Sequence, residues 1–133
     1  LLEENTLMGI GSESSKNLYS SMAYFANIDS PENNAFVSRY KSKFGAKAAV
    51  LNTLAESNYA GIIFGSTLVN KAGSTNAAKL ASTAEGLTLT TPTGPVTMRN
   101  RHTDKNMFLA QCKGTQFSVS KVFKNVPSGQ TCS

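Results

Sequence analysis

Apolar and polar residues follow two rhythms along this chain. Up to about Glu85 the apolar positions recur at helical spacing, and from Leu87 they fall into short runs punctuated by Gly and Pro. The clearest stretch covers residues 23–45, where an extended apolar segment feeds a helix. Ser30 offers a cap for the free amides of a first turn, Pro31 carries a ring-fixed angle suited to the next position, and Glu32 sets a negative charge by the positive end of the helix dipole. Phe36, Val37, Tyr40 and Phe44 form one apolar stripe, Arg39, Lys41 and Lys43 lie off it, and Gly45 is a natural stop. The plain reading is an amphipathic helix packed on a sheet, with no chemistry of its own.

A second helix is predicted over about residues 54–72, ended by Gly73. Ile62, Ile63, Phe64, Leu68 and Val69 lie on more than one face, so it is expected to be largely buried, with Ala60, Gly61, Gly65 and Ala72 permitting close approach. A third, shorter helix follows over 77–85, capped by Ser74-Thr75-Asn76 and ended by Gly86. Near the start, Leu7-Met8-Gly9-Ile10-Gly11 reads as a buried parallel strand ending in a loop, and residues 17–28 as an extended segment. Residues 48–51 read as a connector. Beyond Leu87 the pattern predicts a turn at Thr93-Gly94-Pro95, a short strand over 96–98, a polar loop over 99–106, and a hairpin of strands 107–112 and 117–123 around Lys113-Gly114-Thr115. An irregular tail from Asn125 completes the pattern. Residues 1–133 are thus expected to form a single α/β region, with helices packed on a parallel sheet plus a C-terminal β-hairpin.

Charge changes the picture only in part. The net charge is +5, and Lys16 is the only basic residue before Arg39, so the second part of the chain is the basic one. Its Lys and Arg residues are scattered singly, without the aromatic-basic signature of an RNA-binding sheet, and no nucleic-acid partner is expected. A basic nucleic-acid-associated module remains the alternative from another functional class, recognisable by salt-sensitive binding. The longest uncharged run, residues 57–70, is too short to span a bilayer. Leu1 in place of an initiator Met suggests a processed or excised piece. Cys112 and Cys132 allow one disulfide in an oxidising compartment, or are two unrelated thiols.

Catalytic constellations are not seen. The chain has no nucleophile elbow, phosphate-binding loop, zinc-protease motif or dinucleotide fingerprint, His102 has no second histidine for a metal, and neither cysteine sits in a C-x-x-C pair. No enzyme activity, metal or cofactor is expected. Two places could hold a ligand. Ser12 and Glu13 follow the predicted first strand, where open α/β sheets bind ligands, or they belong to an ordinary solvated loop. Glu56 and Tyr59, three apart at the start of the second helix, pair a hydrogen-bond acceptor with an amphipathic ring, which suits a small amide or amine; otherwise they are an acid at a helix start and a core tyrosine.

The succession Tyr24-Phe25, Ile28-Asp29-Ser30-Pro31-Glu32-Asn33, Phe36-Val37, Tyr40 and Phe44-Gly45 resembles the C-terminal portion of the type I periplasmic solute-binding proteins. Within that branched-chain amino-acid receptor superfamily the urea and short-chain amide branch is the more similar. The likeness continues through Glu56, Tyr59, Lys71-Ala72-Gly73-Ser74, the turn Pro92-Thr93-Gly94-Pro95-Val96, Met98, His102 and the hairpin around Phe117. It implies part of a two-lobed α/β receptor of the periplasm that closes on urea, a short amide or an amino acid and delivers it to the membrane permease of an ABC transporter. The alternative within that family is a cytoplasmic amide sensor acting on a regulator. The resemblance places residues 11–14 and 56–59 towards the cleft and gives His102 a structural role. It also implies that the N-terminal lobe is missing, so that the exposed surface would meet that lobe or a second copy of the chain.

Overall fold

The computed structural model describes residues 2–129. Helix α1 (Glu4–Ser14) precedes strand β1 (Tyr19–Met22), and helices α2 (Pro31–Phe44), α3 (Thr53–Ala72) and α4 (Ala77–Ala84) follow. Strands β2 (Thr88–Thr91), β3 (Gly94–Arg99), β4 (His102–Lys113) and β5 (Gln116–Val126) come last.

The helix ends obey local chemistry. Ser30 Oγ accepts the Asn33 N–H at 3.2 Å, Pro31 opens α2, and Gly45 leaves it with φ 77°. Asn52 Oδ1 accepts the Ala55 N–H at 3.0 Å to start α3, which Gly73 ends in the left-handed region. Asn76 Oδ1 takes the N–H groups of both Ala78 and Lys79 at the head of α4. None of these contacts needs the rest of the molecule.

The sheet is antiparallel throughout its described pairs, which corrects the expected parallel sheet. The physical reason lies in the connections. β2, β3, β4 and β5 are joined by turns of two residues, Pro92-Thr93, Asn100-Arg101 and Gly114-Thr115, whereas a parallel pair needs a long crossover. β4 is the hub, meeting β3 near its start, β1 through Phe108 to Gln111, and β5 along most of its length. The expected polar loop at 99–106 is the β3–β4 hairpin: Asn100 and Arg101 take φ 48° and 66°, the geometry of a tight turn, and His102 already begins β4. The turn read at Thr93-Gly94-Pro95 falls at Pro92-Thr93, with Gly94 and Pro95 inside β3.

Two further expectations are corrected. The predicted first strand is part of α1, because of its run only Leu7 is buried while Met8 and Ile10 are 55% and 40% exposed. A short apolar run fits a helix or a strand equally until burial decides. α3 is not largely buried: Glu56 and Ala72 alone are enclosed, and Ile62 is 75% exposed. Residues 17–28 are strand only over β1, after which Tyr24 and Phe25 turn fully into the core.

That core gathers Leu7 from α1, Tyr24, Phe25 and Ile28 from the connection, Phe36 from α2, Leu51, and Phe108, Ala110, Cys112 and Phe117 from β4 and β5. Rings bind its halves together, Tyr24 against Phe36 at 6.4 Å, Phe36 against Tyr59 at 4.5 Å and Phe25 against Phe117 at 4.7 Å between centroids. Cys132, one half of the disulfide considered above, lies outside the described residues. Among the described residues no helix is long and apolar enough to cross a membrane.

Candidate functional site

A cavity of about 370 Å³ lies between the N-terminal half of α3 and strands β2 to β4. Glu56, Phe64, Thr91, Thr93, Val96 and Lys105 are among the residues that line it, so a charge of each sign and several hydroxyls share a mainly apolar space. Asn52 fixes the first turn of α3 through the Ala55 N–H, and the following residue, Glu56, lies in the interior, where it is 1% exposed.

Neither carboxylate oxygen of Glu56 has a hydrogen-bond partner among the described residues. An unpartnered buried acid is costly, and among the described residues Glu56 is the acid with both buried oxygens in that state, so it calls for an explanation. Burial pushes its pKa up, and the Lys105 ammonium opposes that rise. Behind it, the Tyr24 hydroxyl is also buried without a partner, and burial followed by the charges of Glu4 and Glu56 holds its pKa well above the usual phenol range. That hydroxyl is therefore a fixed O–H donor. Glu4 keeps a raised pKa from burial despite accepting the Ala26 N–H at 2.7 Å. The β2–β3 turn closes the cavity, with the Thr91 and Thr93 hydroxyls 2.9 Å apart and both residues buried.

The sequence-predicted residues separate. Glu56 faces the cavity. Tyr59, one turn later, faces α2 instead: its ring stacks on Phe36 and its hydroxyl accepts a hydrogen bond from Arg39 Nη2 at 2.8 Å. Ser12 and Glu13 are exposed near the end of α1, beyond a kink at Gly11, and they follow no strand. Ser12 lies by the β4–β5 turn, since Ser15 Oγ donates towards the carbonyls of both Ser12 and Gly114, whereas Lys105 and Glu56 line the cavity near the start of β4. Lys105 is hidden in the sequence because residues 99–106 read as a polar loop, and Thr91 and Thr93 because they fall at a turn, which carries no sign of a ligand. The alternation of Thr103 and Lys105 with their neighbours was the available signal, as both residues line the cavity from one strand.

The sequence profile described as periplasmic binding protein matches residues 1–116. This chain belongs to that family. Similar solved structures agree with it in fold. A periplasmic binding protein from Burkholderia mallei has a TM-score of 0.82 at 17% identity, over 94% of this chain and 35% of that one. An amino acid ABC transporter substrate-binding protein from Pseudomonas fluorescens has a TM-score of 0.80 at 20% identity, over 95% and 36%. An ABC transporter solute-binding protein from Rhodopseudomonas palustris, solved with 3,4-dihydroxy benzoic acid, has a TM-score of 0.75 at 21% identity, over 86% and 33%. The chain thus spans about one third of the length of the periplasmic-binding-protein structures it matches. No curated protein sequence matches it.

Proposed function

We propose that this chain forms one wall of the ligand cleft of an extracytoplasmic solute-binding protein, the C-terminal portion of a two-lobed receptor that serves the permease of an ABC-type transporter. The observation that carries the reading is Glu56, a buried carboxylate with two free acceptor oxygens on a cavity of suitable size. Such a group complements a solute rich in N–H donors: urea, a short primary amide or the ammonium group of an amino acid. Lys105 offers the opposite end of such a solute a donor, and Phe64 and Val96 take its apolar part. Tyr59 braces α3 on α2 so that Glu56 keeps its place, while Ser12 and Glu13 lie outside this cavity. Capture is noncovalent, and the solute favours whichever arrangement of the lobes encloses it, a population shift driven by differential affinity. The open side of the cleft falls to the other lobe or to a second copy.

Thermal denaturation against acetamide, urea and leucine tests this. A solute at a hundred times its dissociation constant adds roughly 2.7 kcal/mol to the folded state, and Glu56→Gln is expected to remove that gain for the same solute. If a solute stabilises wild type and the E56Q variant alike, Glu56 is not the ligand group. If none stabilises the wild type, this piece does not hold a complete site.

A further inference from the structure

β3 and β4 pair only through Thr97, Met98 and Arg99, and towards its start β3 contains Pro95, which has no N–H to give. A side chain continues the connection. Asn106 Nδ2 donates to the Thr93 carbonyl at 2.9 Å, and Asn106 Oδ1 accepts the Asn125 N–H at 3.0 Å. Asn125 lies where the β4–β5 register slips between the Lys105 and Met107 pairs, and it carries φ 49°, so this N–H is the one displaced by a bulge. One amide therefore ties the β2–β3 turn to the bulge of β5. Gly94 makes room for it: a Cβ there would stand 2.6 Å from Asn106 Nδ2, and its φ of 100° excludes other residues as well.

The groups held in this way belong to the cavity. Thr93 is its buried wall, and Lys105, next to Asn106, lines the same cavity as Glu56 and opposes the rise of its pKa. We propose that Asn106 is the positioning residue of the cavity: by pinning the 92–93 turn and the β5 bulge, it holds Lys105 on the cavity wall across from Glu56 and fixes the Thr91–Thr93 wall around a bound solute. The role of the solute rests on the reading given above; the coupling of Asn106 to Glu56 does not. Bulges beside binding sites commonly re-aim a side chain in this manner. The other ionisable groups acting here are Tyr24 and, through it, Glu4, both of which lie off the Asn106 linkage.

The test follows the Glu56 carboxyl by 13C NMR titration of the 133-residue protein, with its resonance assigned from the E56Q variant. Lys105→Ala is expected to raise the Glu56 midpoint. Asn106→Ala is expected to raise it in the same direction, and to add nothing further in the K105A background. Asn106→Thr, compatible with a strand but without the amide, is expected to behave as N106A does and serves if N106A does not fold. Acetamide titrated into the same variants is expected to bind about tenfold more weakly in both. A merely structural role would lower the melting temperature and leave the Glu56 midpoint unmoved. An unmoved midpoint in N106T, or in K105A itself, overturns the proposal. Acetamide that fails to bind the wild type while the midpoints shift as expected leaves the positioning role standing and removes the solute reading alone.

Discussion

Glu56 shows how one residue carries opposite consequences for stability and for binding. Burial holds its carboxyl above its ordinary pKa. The folded chain therefore retains a proton that the unfolded chain releases, and stability present in acid is lost as pH rises from the ordinary carboxylate range through the raised value. Glu4, also raised by burial, adds to the same slope. The E56Q variant, neutral at every pH, is expected to melt about 4 °C higher than wild type at pH 7, the equivalent of roughly 1 kcal/mol. The gain should vanish below about pH 4, where wild type is itself protonated. Melting curves across that range check it, and an equal melting temperature at pH 7 would mean that the carboxylate is satisfied in solution. The acid and its position at the head of α3 were legible in the sequence, but its lack of a partner was not. Whether a polar group is satisfied depends on groups that arrive from β2 to β4, some thirty-five to fifty residues away along the chain.

At the scale of elements, α2 is the part most fully written into its own sequence. Its cap, its first-turn Pro and its Gly stop act within a few residues, and the structure repeats them. Ser30→Ala is expected to cost about 1 kcal/mol, read as a lower urea midpoint with an unchanged slope. α1 is the converse case. Its apolar run is too short to carry a period, and what favours the helix is tertiary: Leu7 enters the core while Glu4 is held by the Ala26 N–H. The β3–β4 hairpin was missed because Asn100-Arg101 lacks the Gly that usually marks such a turn.

At the scale of the whole molecule, α3 sets the question. It is twenty residues long with two of them buried, and Leu54 and Ile62 are 61% and 75% exposed. Together with the share of its relatives that the chain spans, this leads us to expect association: size-exclusion chromatography with light scattering should give a mass above 14.1 kDa. Replacing Leu54 and Ile62 by Lys should return the monomer. A compact wild-type monomer that binds solute would sink the proposal that this is part of a larger receptor.

By itself the sequence determined the positions of α2, α3 and α4, the β4–β5 hairpin and the likeness to periplasmic solute-binding proteins. Those features depend on caps, stops and periodicities that act over a few residues, or on an ordered succession of side chains. The tertiary structure decided the antiparallel pairing around β4, the outward face of α3, the helical state of residues 4–14 and the gathering of Glu56, Lys105, Thr91 and Thr93 around one cavity. The pairing of β2 to β5 follows from two-residue turns that admit only antiparallel neighbours; the other three are a matter of which surfaces lose contact with water together, and burial is a property of the assembled chain rather than of any stretch of it.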